Sequence, residues 1–176
     1  MKFQKSAHEN MAKSVKSSDS KTAAVALTFT SPSYDEDIYG EVSRRAKLVD
    51  LRTLSSNFSV KAECIRDLEE GVEKLQHGFK GSASTFNFSP ENGVVIGTVN
   101  WVAEIKSGRK KALKLDAEFL VVYTELEDLA EEYVKLYFKK IARFATYPYF
   151  RALFSGQTAS AGIMLAPLPA LTDRVD

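Results

Sequence analysis

Few side chains in this sequence are of the types that do covalent or metal chemistry. His8 and His77 have no second His or Cys at a metal-ligand spacing, and the single cysteine, Cys64, cannot build a zinc site. A lone cysteine also forbids an intramolecular disulfide, so Cys64 reads as a small packed thiol in a reducing compartment. There is no GxGxxG, no phosphate-cradling Gly-Lys-Ser/Thr loop and no GxSxG. The acids Glu127, Asp128, Glu131 and Glu132 crowd together, but Lys135, Lys139, Lys140 and Arg143 follow them. A helix dipole selects that order on a solvated face, so these carboxylates read as structural rather than as an acid/base pair. The basic run Arg109-Lys110-Lys111 lies in a turn without interleaved aromatics, and so lacks the stacking platform of a nucleic-acid site. The expectation is a protein that is not an enzyme and needs no cofactor or metal.

What the sequence does offer is aromatic surface. Its 11 Phe, 7 Tyr and single Trp make 11% of the chain, within 44% hydrophobic and 27% charged residues and a net charge of +1. That charge gives no bulk reason to expect nucleic acid or an anionic membrane as partner. The aromatics gather at Phe86, Phe88, Trp101, Phe119 and Tyr123, and again at Tyr133, Tyr137, Phe138, Phe144, Tyr147, Tyr149, Phe150 and Phe154. Most must pack a core. A small sheet with helices has more apolar side chains than one core hides, and surplus apolar surface marks an oligomer interface or a binding groove.

The elements that must position them follow from periodicity. Residues 1–24 carry Lys2, Lys5, Lys13, Lys16 and Lys21 among serines and read as a solvated tail. Residues 25–46 receive no firm assignment beyond a short strand at Ala26–Phe29 and a turn around Pro32. The longest early apolar run, Ala23 to Leu27, is far short of the roughly 20 residues of a membrane span, and a secretory signal is not expected; the cytoplasm is the default. From Lys47 to Val60 the pattern is β-like with a slip that a bulge would cause. Ile65, Leu68, Val72 and Leu75 fall at helical spacing, weakened by Gly71. Three strands are then predicted: Phe79 to Phe88, Gly93 to Ile105, and Lys111 to Tyr123 after the turn Ser107-Gly108-Arg109. Short turns imply antiparallel pairing, and one apolar face per strand implies a sheet covered on one side. From Leu126 to Phe144 the period becomes helical. A second helix is expected from Thr146 as N-cap, with Pro148 in its first turn and Gly156 or Gly162 at its end. The tail Ile163 to Leu171, with Pro167 and Pro169, must be extended. The fold class is α+β, a four-stranded antiparallel sheet followed by two C-terminal helices.

Two stretches at their separation resemble the SecB export-chaperone family. They are Arg143-Phe144-Ala145-Thr146-Tyr147-Pro148-Tyr149-Phe150-Arg151, and Ile163-Met164-Leu165-Ala166-Pro167 beyond Gly156. The resemblance covers roughly residues 47–171, leaving 1–46 as a tail and extension and 172–176 as a short C-terminal tail. It implies an ATP-independent holdase, a tetramer built as a dimer of dimers, that binds unfolded polypeptides or preproteins. SecB-like relatives that protect an antitoxin of a toxin–antitoxin system are the alternative it leaves open. By the resemblance, the client groove is lined by Phe86, Phe88, Val99, Trp101, Phe144, Tyr147, Phe150, Met164 and Leu165. Leu115, Ala117, Phe119, Tyr133 and Tyr137 are the expected contributors to an oligomer interface. Docking to the motor SecA uses carboxylates on the family's exposed sheet face; two of those positions fall on Asn57 and Lys61, while Asp116 stays acidic, so docking is expected to be weak or absent. A structural oligomer without affinity for unfolded chains, and a small-molecule-binding fold of hot-dog type, are the readings from other classes; the long helix after all the strands counts against the second.

Overall fold

Alternation with a period of two runs almost unbroken from Val94 to Thr124, and it builds the centre of a four-stranded antiparallel sheet in the order β1-β4-β3-β2. The strands are β1 (Lys47–Val60), β2 (Leu75–Ser89), β3 (Val94–Ser107) and β4 (Lys110–Thr124). Among the described residues three α-helices accompany them: α1 (Glu36–Arg45), α2 (Ile65–Glu70) and the 30-residue α3 (Glu131–Ser160). This computed structural model describes residues 35–70 and 75–171. The strand expected at Ala26–Phe29 and both terminal tails lie outside them.

One face of the sheet is dry. Val95, Val99, Trp101, Ala103 and Ile105 of β3, and Leu113, Leu115, Phe119, Val121 and Tyr123 of β4, are all buried on it. The intervening Asn100, Val102, Glu104, Lys114, Asp116 and Glu118 point the other way and stay partly or fully exposed. The slip read in β1 is real: its pairing with β4 shifts between Leu48 and Asp50 and again between Thr53 and Ser55. Each shift squeezes one residue out of the ladder, and the two displaced residues, Val49 and Leu54, are exposed apolar side chains.

Where two C-terminal helices were expected there is one. Thr146 and Pro148 look like an N-cap and a first-turn proline, yet both sit inside α3. The Thr146 hydroxyl bonds back to the Ala142 carbonyl at 2.8 Å, a mid-helix habit of threonine rather than a cap. Pro148 leaves the Phe144 carbonyl without its helical donor, at a cost of roughly 3 kcal/mol. Packing offsets that cost. Val134, Phe138, Ala142, Thr146, Phe150, Phe154 and Thr158 form an uninterrupted row, each four residues after the last, and every one is buried. Such a row winds about 40° around the helix at each step, so the buried side turns steadily along α3.

The ends of α3 also have local causes. Leu126 and Leu129 keep helical spacing but belong to the preceding loop, where Glu125 and Asp128 have φ of 65° and 58° and so stop any earlier helix. Both leucines plug the core from that loop. Gly162, with φ 74°, ends the helix, and Gly156 lies within it. The Ile163 amide donates to the Thr158 carbonyl at 2.9 Å and the Gly162 amide to Ala159 at 3.0 Å, which is the Schellman pattern.

Two other expectations change. Among the described residues the apolar spacing of 62–78 is helical at Ile65 and Leu68, while Leu75 already begins β2; Val72 lies outside them. The unassigned segment before Lys47 holds α1. Asp35 caps it by accepting from the amides of Asp37 and Ile38 at 3.0 and 3.3 Å, with acids in its first turn and Arg44 and Arg45 in its last. It docks through the fully buried Val42 and through Tyr39, whose ring lies 6.2 Å from that of Tyr137.

Candidate functional site

The single tryptophan lies on β3 at the middle of the dry face and is 1% exposed. Gly81, opposite it on β2, makes room: a Cβ there would sit 2.6 Å from the indole. The indole N–H donates to the Thr146 hydroxyl at 2.8 Å, which ties β3 to the middle of α3. The Phe150 ring stacks on the indole at 5.5 Å and 18°. Tyr147 approaches it at 5.0 Å, and Phe79 of β2 stacks on Tyr147 at 5.5 Å. Phe79, Trp101, Tyr147 and Phe150 therefore form one aromatic platform spanning the β2 edge, the sheet centre and the helix.

The chain after α3 returns to this platform. Residues 163–171 have no regular secondary structure, and Ile163 and Leu168 are buried. The Tyr147 hydroxyl donates to the Pro169 carbonyl. Burial pushes the Tyr147 phenol above its ordinary pKa, so it holds its proton for that bond. Met164, by contrast, is 84% exposed, and Leu165 is half-buried. The irregular, proline-bearing segment is thus held by two buried apolar side chains and one bond to its backbone.

A second aromatic group lies further along α3. Phe86 meets Phe138 edge-on at 5.8 Å, and the Lys135 ammonium sits 5.7 Å above Phe86. Gly97 permits this closeness, since a Cβ there would lie 2.4 Å from the Phe138 ring. Tyr123 packs between Tyr137 at 5.5 Å and Phe138 at 6.3 Å. Its hydroxyl is buried without a partner, and burial raises its pKa.

Of the residues expected to line a groove, Trp101, Tyr147 and Phe150 come together. Phe86 belongs to the second group. Phe88, half-buried, pairs with Val95 on the same face, Val99 is wholly in the core, and Phe144 is half-buried on α3. Leu115, Ala117, Phe119 and Tyr137 are already covered within one chain. Tyr133 keeps more surface, and its hydroxyl accepts the Asp35 amide at 3.2 Å. On the opposite face, Asn57 stands across from Asp116, and Asp116 is paired with Lys114 at 2.8 Å. Lys61 closes β1, its amide donating to Ala112. Sequence reasoning missed Phe79 and Phe138 as site residues. Their signal was present: Phe79 is in phase with Gly81 and Ala83, and Phe138 is four residues from Val134 and Ala142.

Among the described residues no cluster of His, Cys, Asp or Glu has metal-binding geometry. No described helix is long and apolar enough to cross a membrane.

A four-stranded sheet in this order, with one face under a long C-terminal helix, is the SecB-like α+β fold. The structure is similar to that of the Mycobacterium tuberculosis SecB-like chaperone Rv1957, solved with a ChAD peptide from the Rv1956 HigA1 antitoxin; the match has a TM-score of 0.66 at 19% identity and covers 80% of this chain and 100% of that one. No family model matches the sequence, and no curated protein matches it significantly.

Proposed function

We propose that this protein is an ATP-independent holdase chaperone that binds unfolded polypeptides in the cleft between β2, β3 and α3. The observation that carries this reading is the way the cleft holds residues 163–171: buried Ile163 and Leu168, and a Tyr147 hydroxyl on a backbone carbonyl. Those contacts ask for apolar side chains at intervals on an extended chain, not for a particular sequence, which is the chemistry of unfolded-protein recognition. A client enters by taking over the tail's place on Tyr147. Met164, exposed and flexible, helps the rim accept varied side chains.

Which client class it serves divides into two readings. Preproteins awaiting export are the first. The second, an unstable antitoxin, is favoured by the fold's likeness to a chaperone solved with an antitoxin peptide. It is favoured also by the outer sheet face, where Asn57 and Lys61 stand in place of acids and would weaken docking of a basic motor tail such as SecA's. A cytoplasmic homotetramer fits both. Light scattering of a denatured client at micromolar chaperone, without nucleotide, tests the proposal. Suppressed aggregation is expected; undiminished aggregation with a folded protein overturns it. Co-purification from the native cells separates the two client classes.

A further inference from the structure

The face of the sheet turned away from α3 is not uniformly polar. Its end at the β3–β4 hairpin is crowded with cations. Across the ladder, Lys106 pairs with Lys111 and Gln76, Glu104 with Lys114 and Gly78, and Val102 with Asp116 and Lys80. Arg109 and Lys110 form the hairpin tip beside them, and Lys61 ends β1 next to Ala112. Two carboxylates lie within this group, and both are taken. Glu104 holds Lys111 at 2.6 Å and Asp116 holds Lys114 at 2.8 Å. Lys111, with help from Lys106 and Lys114, keeps the Glu104 carboxyl below its ordinary pKa. Asp67, at the margin, accepts from the Ser107 hydroxyl at 2.8 Å. That leaves Lys61, Lys80, Lys106, Arg109 and Lys110 without an ion-pair partner among the described residues. In a chain of net charge +1 this is a strong local excess.

Two of these cations, Lys80 and Lys106, line a groove. It has a volume of about 500 Å³ and runs along β2 and β3, with Lys80, Val102, Glu104 and Lys106 among its lining. Gly78 opens its floor, since a Cβ there would meet nothing nearer than the Glu104 carbonyl at 4.0 Å. The half-buried Val102 gives the floor an apolar spot.

We propose that this groove docks an acidic, extended polypeptide segment of a partner protein, its Asp or Glu side chains on Lys80, Lys106, Arg109 and Lys110 and an apolar side chain over Gly78 and Val102. Charge complementarity sets the sign of the partner. The chemistry of the groove sets its class. Glu104 stands in the middle, where a continuous phosphate backbone would meet it, whereas a peptide can place its acids to either side. Cations here are mostly lysines, and one phenylalanine, Phe79, stands in the groove's lining, so a run of stacked bases is matched poorly. The charged side chains lie on the face of the sheet turned away from the client cleft, and Phe79 at the β2 edge is common to both linings, so the groove would serve a delivery partner or a regulator of client binding.

The test is fluorescence anisotropy of a labelled peptide that alternates Glu with Leu, titrated with the full chain at low and physiological salt. Saturable binding that weakens steeply with salt is expected, as for exposed charges screened over about 8–10 Å. The triple variant Lys106→Glu, Arg109→Glu, Lys110→Glu should weaken it by about tenfold or more. All three side chains are at or near the exposed tip, and unchanged circular dichroism and Trp101 emission would show the fold intact. A second pair, Lys80→Glu with Lys106→Glu, should act likewise, while Lys139→Glu on α3 should not. Client binding should survive both variants, which separates this site from the cleft. Equal affinity for a Lys-rich peptide, tighter binding of a DNA oligonucleotide of equal charge, self-association through the same residues, or no effect of either variant would overturn the proposal.

Discussion

The two faces of this sheet are made by the same strands, residue by alternate residue, and they are ordered in opposite ways. On the face beneath α3, order comes from volume. Trp101, Phe119, Phe138 and Phe150 are fully buried, Gly81 and Gly97 exist because rings occupy their side-chain space, and the polar tie between sheet and helix runs from Trp101 to Thr146. On the outer face, order comes from charge pairs that water reaches, such as Lys111 with Glu104 and Lys114 with Asp116. A change on the dry face should therefore cost several kcal/mol and be felt across the fold. The same change outside should be nearly silent for stability and loud only for whatever docks there.

The largest effect expected is from Trp101→Ala. It removes a fully buried ring and the only partner that the Thr146 hydroxyl has outside its own helix, and should destabilise by about 3–5 kcal/mol in chemical denaturation. Gly97→Val comes next. Its branched side chain would meet Phe138 and the Thr85 carbonyl, the latter 2.5 Å from a Cβ, and backbone yields less readily than a ring. About 1–3 kcal/mol should be lost, with the Phe86–Phe138 pair disturbed.

Tyr123→Phe should go the other way. Its hydroxyl is buried without a partner, so its removal should leave stability unchanged or raise it by up to about 1 kcal/mol. The variant also carries a pH signature. Burial raises the Tyr123 and Tyr137 pKa values above 10.0, so at alkaline pH the unfolded chain ionises these phenols before the folded one does. The folded state then holds more protons, and stability should fall as pH rises above 10. Melting curves of Tyr123→Phe should fall less steeply there than those of the parent. The smallest effect belongs to the outer face: Lys111→Ala should change stability by less than about 0.5 kcal/mol. A loss of several kcal/mol would show that the contrast between the faces is wrong.

How legible each part was depended on how local its cause is. β3 and β4 are visible in sequence because burial on one face enforces strict alternation. β2 is harder to see at its start because Gly78 and Gly81 leave gaps in the pattern, one for an open groove and one for an indole that arrives from another strand. α1 escaped notice because its only fully buried residue is Val42; a half-charged helix with one buried side chain has little apolar period to read. The break assigned at Thr146 and Pro148 shows the same limit from the other side. Both residues carry strong local signals for a helix start, and a buried row of seven residues overrides them. The aromatic residues of the site could be nominated from sequence, but not sorted. Nothing local distinguishes Trp101, bonded across to α3, from Val99, which only fills the core. That residues 163–171 form no helix was readable from Pro167 and Pro169, whereas the bond from Tyr147 to Pro169 was not.

The central claim is that the cleft which now holds residues 163–171 holds an unfolded client in their place. Trp101, the only tryptophan in the chain, sits in that platform and reports on it directly. Its emission should be followed while a denatured, tryptophan-free client is titrated in without nucleotide, with a synthetic peptide of residues 163–171 as competitor. The account predicts a saturable change in Trp101 emission that the peptide shifts to higher client concentration. Client that binds without altering Trp101 emission, or that is indifferent to the peptide, would contradict it.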